Sequence, residues 1–400
     1  MKKYDVNAPI VFKKGFHDLN DEPHINYQLN RMINWSGGDL EEVERVSRRI
    51  KDFDDWKRTL MELGARALAE ERVANAIAYY RMAEFYMSED DPDALACYDK
   101  ARELFYGYFA DYFAPSDGGP PIVERLEVPY EGVALPVMRA APEREKKGTF
   151  LVHGGNDSYY EEFFFPMLYL RERGYEVYLF EGPGQGAVTR LRGLPFTAAW
   201  EKPVMAVTER FGLRDAAIVG VSLGGYFAPR AAAFDKRISR VIGWSVFPSF
   251  WDVYRGTAGK ARAQAFRFLL KTNMRSVVNG IFRRSVKKGD LHALALAKML
   301  PHYGAATLFD FGKTIGEYDL APVAGKIDQD VLILGAQRDI MIPYTLIGKE
   351  IALLKNARSL TFRLFTDREG AGDHCSCGDT ELALDTICRW MDALDARDRG

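Results

Sequence analysis

Ser222, Asp339 and His374 are the three residues of this 400-residue chain whose types and order could make a hydroxyl nucleophilic. A serine hydroxyl attacks poorly at neutral pH unless a base takes its proton, and an imidazole base needs an acid to orient it. Ser222 stands in Gly220-Val221-Ser222-Leu223-Gly224, directly after the apolar run Ala217-Ile218-Val219. A G-x-S-x-G run behind a buried strand predicts a sharp strand-to-helix turn, the nucleophile elbow. Such a turn lifts the hydroxyl off the sheet edge and aims the backbone N–H groups of a helix N-terminus at the space above it. The flanking glycines mark places where two backbones approach too closely for a Cβ. A Gly-Ser-Gly turn without chemistry is the bland alternative, and the strand before and helix after favour the elbow.

In the chain order Ser, acid, His, the base should follow the last strand and the acid the strand before it. Asp339 follows the apolar run Val331-Leu332-Ile333-Leu334, and His374 follows a run ending at Phe365. Asp339 could instead cap the helix expected from Pro343, and Asp373 is a rival acid by adjacency. Neighbouring side chains in a loop diverge, so Asp339 is preferred. Of the other histidines, His17 and His24 precede the expected catalytic domain, and His292 and His302 lie in an insertion. His153 stands before Gly154-Gly155-Asn156-Asp157, a run placed where an oxyanion loop would be. Gly155 and Asn156 are the candidate donors there, with the N–H of Leu223 as their complement, and His153 is read as structural.

Other motifs carry less. Glu181-Gly182-Pro183-Gly184-Gln185-Gly186 lacks the order of a phosphate-binding loop and is read as shaping the rim of the site. Asp252, among Trp251 and Tyr254, is either a helix cap or an acid lining the pocket; Trp251, Tyr254 and Tyr226 are the aromatic candidates for substrate contact. Cys375 and Cys377 beside His374 make a poor metal site, because zinc pairs leave at least two residues between cysteines and no second pair exists.

Elements must position these residues. From Asp21 to Tyr112 the pattern is helical, with Asp39–Ile50, Asp54–Met87 and Pro92–Tyr112 placing apolar residues three and four apart. Asp54 and Asp91 sit where N-caps would, the latter ahead of Pro92 at a first helical position. One such helical hairpin does not make a solenoid. Ser116-Asp117-Gly118-Gly119-Pro120-Pro121 reads as a linker. Beyond it come a two-stranded hairpin and then strands alternating with helices, which predicts an α/β fold with a mostly parallel, doubly wound sheet. The alternation stops from Phe247 to about Tyr318 and then resumes. The domain expectation is therefore a helical N-terminal or lid domain over 1–118 and a catalytic domain over 119–400, with a cap insertion over 247–318.

The composition, 47% hydrophobic and 28% charged, is that of a globular protein. A formal net charge of -2 gives no reason to expect nucleic acid or an anionic membrane as partner. Two lysines at the start have no apolar stretch behind them, and four scattered cysteines suit a reducing compartment, so a cytoplasmic location is expected. The oligomeric state is left open, a homodimer among the options.

Phe180–Gly186 (FEGPGQG), Gly220–Phe234 (GVSLGGYFAPRAAAF) and Glu369–Gly378 (EGAGDHCSCG) resemble the α/β-hydrolase superfamily. The likeness is to the branch containing fungal yellowish-green pigment polyketide-shortening hydrolases and bacterial dihydroxypseudooxynicotine hydrolase. The resemblance implies a Ser222-Asp339-His374 triad with no metal or organic cofactor, a helical domain ahead of the core, and cleavage of a carbon–carbon bond next to a ketone or of an ester. The substrate would be a hydrophobic, aromatic or polyketide-like carbonyl compound, with Asp252 as counterpart of an acidic residue near the cap. Two positions depart from the branch: Glu181 where Asp is usual, and Ser376 where Gln is common. An acyltransferase or cyclase would use the same triad, and a non-catalytic binding module is a third reading.

Overall fold

The computed structural model describes residues 3–115 and 118–399. The chain divides into two units: one comprises residues up to Ile122 with Gly280–Leu300 and Cys377–Asp379, the other Val123–Asn279, Pro301–Ser376 and Thr380 onward.

The second unit holds one eight-stranded sheet. Its strands are β1 (Glu124–Tyr130), β2 (Val133–Ala140), β3 (Gly148–His153), β4 (Tyr175–Phe180), β5 (Ala216–Val221), β6 (Ile238–Trp244), β7 (Asp330–Ala336) and β8 (Ser359–Phe365). The order across the sheet is β1-β2-β4-β3-β5-β6-β7-β8. The hairpin β1–β2 is antiparallel and joins β4 antiparallel, and every later pair is parallel. Strands β4, β5 and β7 are buried at every residue, the signature of a parallel sheet covered on both faces. From β3 the chain first goes outward to β4 and then returns to β5 on the other side. The ends of β3 and β5 thus form the switch point where open α/β sheets carry their ligand crevice.

The first unit is helical: Pro23–Arg31, Leu40–Ser47, Phe53–Ala69, Val73–Ala83 and Ala94–Tyr108 are its longer helices among the described residues. Trp56 is fully buried there and donates its indole N–H to the Met82 carbonyl at 2.6 Å. Buried Glu42 accepts from Arg66, Arg72 and Tyr79 at 2.5, 2.7 and 2.8 Å. Burial pushes this carboxyl up, and those hydrogen bonds outweigh it, so Glu42 sits below its ordinary value.

Several local expectations need correction. The cap of Phe53–Ala69 is Asp52, whose carboxylate accepts from the Asp55 N–H at 2.8 Å, while Asp54 falls in the acidic first turn. Asp91 caps no helix: it accepts from the Asp93 N–H and holds Lys57 at 2.6 Å, so Pro92 stays outside a helix that begins at Ala94. The run Asp54–Met87 is two helices, parted at Glu71, a left-handed residue (φ 56°) that apolar spacing does not reveal. The short helix Gly186–Arg192, right after the Gly-Pro-Gly run, is additional to the expected elements. Ser116 and Asp117 of the expected linker lie outside the described residues.

Candidate active site

Ser222 follows β5 with a left-handed backbone (φ 61°), and the helix Gly224–Phe234 starts two residues later. A non-glycine residue in that region costs on the order of 1–3 kcal/mol, which the surrounding structure must hold in place. Close packing explains the glycines. A Cβ on Gly220 would lie 2.1 Å from the Gly224 carbonyl, and one on Gly225 would lie 2.5 Å from the Ser245 carbonyl. Gly224 itself is less demanding, its nearest neighbour being the Gly154 carbonyl at 3.3 Å.

The His374 ring lies between the other two residues. Its Nδ1 is 2.7 Å from Asp339 Oδ2 and its Nε2 is 2.9 Å from Ser222 Oγ. With Nδ1–H donated to the carboxylate, Nε2 is left to accept from the hydroxyl. The other oxygen of Asp339 accepts from the backbone N–H groups of Met341 and Ile342 at 2.8 and 2.7 Å. Asp339 therefore also ties the turn that follows it, and this fixes which oxygen faces the imidazole. Asp373 turns away and pairs with Arg338 at 3.1 Å. Burial disfavours a charged His374, but the Asp339 carboxylate overrides it and holds the imidazole well above its ordinary value.

The turn that carries His374 is strained too. Cys375 and Ser376 are both left-handed, with φ 53° and 57°. Cys375 Sγ sits 3.3 Å from His374 Nε2, and Ser376 Oγ accepts from the Trp244 indole at 3.3 Å. Neither contact is visible in the sequence.

The loop after β3 meets the elbow face to face. A Cβ on Gly155 would fall 2.5 Å from the Val221 carbonyl and 2.7 Å from the Leu223 nitrogen. Only glycine leaves the space over that N–H open. Gly155 donates its own N–H to Ser158 Oγ at 2.8 Å, and its carbonyl accepts from Gln185 Nε2 at 3.0 Å. Gln185 also accepts from the Gly182 N–H at 3.0 Å. The Gly-Pro-Gly-Gln-Gly loop is thus latched to the loop beneath it, as a rim-shaping element would be. Buried Glu181 accepts from the N–H groups of Tyr160 and Ala187. The side-chain oxygen of Asn156 accepts from the Tyr303 hydroxyl. His153 is fully enclosed by Phe180, Trp200 and Phe227, with Nδ1 2.9 Å from the Gly154 carbonyl.

The remaining candidates have the following neighbours. Asp252 is buried with its oxygens on Ser249, on Lys349 at 2.5 Å and on Arg255 at 3.4 Å. The side chain that caps its helix is Ser249. Trp251 and Tyr254 pack with Phe266, and Tyr226 is buried with its hydroxyl donated to the Ala198 carbonyl at 3.0 Å. Tyr226, Phe250, Tyr303 and Phe311 belong to one connected aromatic cluster through Tyr318.

The structure is a mostly parallel sheet with an elbow at its switch point. The chain belongs to the Alpha/beta hydrolase family, whose model matches residues 150–376, more than half of its length. Alpha/beta hydrolase psoB of Aspergillus fumigatus is 31% identical over 269 residues, 56% of this chain and 59% of that protein. The 20-hydroxy-prefusarin hydrolase FUS2 of Gibberella moniliformis is 30% identical over 265 residues, 56% of this chain and 61% of the relative. The match thus spans less than two thirds of the length of these relatives. Among solved structures, 2,6-dihydroxy-pseudo-oxynicotine hydrolase aligns over 90% of this chain and 94% of its own, with a TM-score of 0.57 at 20% identity, which bears on the fold alone. No helix among the described residues is long and apolar enough to cross a membrane.

Proposed function

We propose that this protein is a serine hydrolase that cleaves an ester, or a carbon–carbon bond next to a ketone, in a hydrophobic and aromatic or polyketide-like substrate. The observation that carries the reading is one imidazole held between Asp339 and Ser222, at 2.7 and 2.9 Å. His374 Nε2 takes the proton as Ser222 Oγ attacks the carbonyl carbon, and Asp339 stabilises the imidazolium. The oxyanion is met by the Leu223 N–H and by the loop at Gly155 and Asn156, with Gly155 exchanging Ser158 Oγ for the substrate oxygen. His374 then gives its proton to the departing alkoxide or enolate carbon, and a water, deprotonated the same way, releases the acyl group from Ser222. Asp252 acts by holding its helix, since Ser249, Lys349 and Arg255 occupy its carboxylate. The aromatic cluster around Tyr303 and Tyr318 lines the acyl or aromatic part of the substrate.

The name of FUS2, a 20-hydroxy-prefusarin hydrolase, supports hydrolysis of a polyketide-type substrate. The four free, buried thiols suit the reducing cytoplasm. Mass spectrometry after a fluorophosphonate probe tests the mechanism. Adduct on Ser222, absent from His374→Ala, is the expected result; a folded protein left unlabelled, or labelled elsewhere, refutes it.

A further inference from the structure

We propose that the helix Lys260–Lys271 and the start of the helix Arg275–Lys287, to Asn279, dock this protein on the surface of an anionic lipid bilayer. From Arg255 to Lys288 the sequence has ten lysines and arginines and no aspartate or glutamate, in a chain whose formal net charge is only -2. The small total conceals this segregation, because the rest of the chain is correspondingly acidic. All ten cations are exposed. Arg255 reaches Asp252 and Arg275 reaches Asp310, at 3.4 and 2.7 Å, and Arg267 lies over the Trp251 ring. The others have no ion-pair partner among the described residues. Like charges at this density repel one another, and an anionic surface turns that repulsion into attraction.

The apolar side chains in the same segment are equally unusual. Phe268 is 61% exposed, Ile281 56%, and Met274 and Val277 40% each. Their exposure does not reflect a missing core. Leu270 and Val278, on the inward side of these helices, already pack with Phe309, Trp251 and Phe266. Met274 and Val277, three residues apart, stand at the start of the helix Arg275–Lys287, and Phe268 stands on the helix before it. Apolar groups flanked by cations with long aliphatic stems are what a helix lying in a headgroup layer needs, the stems covering apolar surface while the charges meet phosphate. Neither helix is long and apolar enough to span a bilayer, so the contact is peripheral. A second copy of the chain is a poor occupant, since two such faces carry the same charge.

Sedimentation with vesicles tests the proposal on the full-length protein. Binding to phosphatidylcholine vesicles containing phosphatidylglycerol, weakened by added salt and absent with phosphatidylcholine alone, is the expected pattern. At roughly fivefold per cation near such a surface, Lys260→Gln/Arg262→Gln/Lys271→Gln lowers partitioning on the order of a hundredfold. Phe268→Ser/Val277→Ser lowers it about tenfold or more while leaving the salt dependence in place. These side chains are exposed, and circular dichroism melts confirm that each variant is folded. Failure of the folded wild type to bind, or undiminished binding by the triple cation variant, overturns the proposal. So does absence of vesicle binding together with tight binding of a single-stranded oligonucleotide, or with a dimer that the same substitutions dissociate.

Discussion

Two buried imidazoles stand at carboxyl ends of strands in one sheet: His153 closes β3 and His374 follows β8. Around His153 are aromatic rings and one backbone carbonyl, and burial drives it down to about 4. His374 is as deeply enclosed, yet the Asp339 carboxylate holds it well above its ordinary value. Enclosure alone makes an imidazole an inert filler. A single fixed carboxylate converts the same environment into one that stores a proton, which is what attack by a serine requires.

The largest expected effect separates the two rings directly. His374→Ala lowers kcat for any accepted ester by a factor on the order of 10⁴–10⁶, whereas His153→Gln lowers it by less than about tenfold. An equal loss in both variants, measured on folded protein, breaks the contrast. Next in size, Asp339→Asn reduces kcat about 10⁴-fold. It also moves the pH profile. In the wild type, kcat/KM rises with pH through the raised value of His374, because the neutral ring is the base. Without the carboxylate only Cys375 still opposes burial, so the midpoint moves down. A midpoint that stays put would mean the carboxylate is not what charges the ring.

Stability carries the smallest effect, with opposite signs at the two sites. His153 is lowered on folding, so its unfolded form takes up protons first. Stability falls as pH drops below about 6.5 and levels off near 4, by at most about 3 kcal/mol. His374 is raised on folding, so its contribution is full below about 6.5 and is lost as pH rises through the raised value. Urea unfolding of wild type and His153→Gln across this range checks the first sign: the acid-side decline should shrink in the variant.

Much of the site is legible because its parts are local. A nucleophile elbow needs a buried strand, a serine and glycines within ten residues, and the packing of Gly220 shows the steric reason. The choice of Asp339 over Asp373 rested on the divergence of adjacent side chains in a loop, and Asp373 does turn outward to Arg338. The contacts that hold the loops were hidden, because each joins residues distant in sequence. Gln185 to Gly155, Ser376 to Trp244 and Tyr303 to Asn156 have no local signature. The segment 247–318 likewise reads as one excursion, but contact packing groups Gly280–Leu300 with the N-terminal helices.

The sequence by itself determined the alternation of strands and helices, the elbow, and the order Ser222, Asp339, His374, because periodicity, turn chemistry and strand ends are short-range properties. Tertiary structure decided how closely His374 meets Ser222 and Asp339, which oxygen of Asp339 faces the ring, and that Gly155 donates to Ser158. Those outcomes depend on distances of about 3 Å between groups dozens of residues apart, and only the closed sheet brings them together.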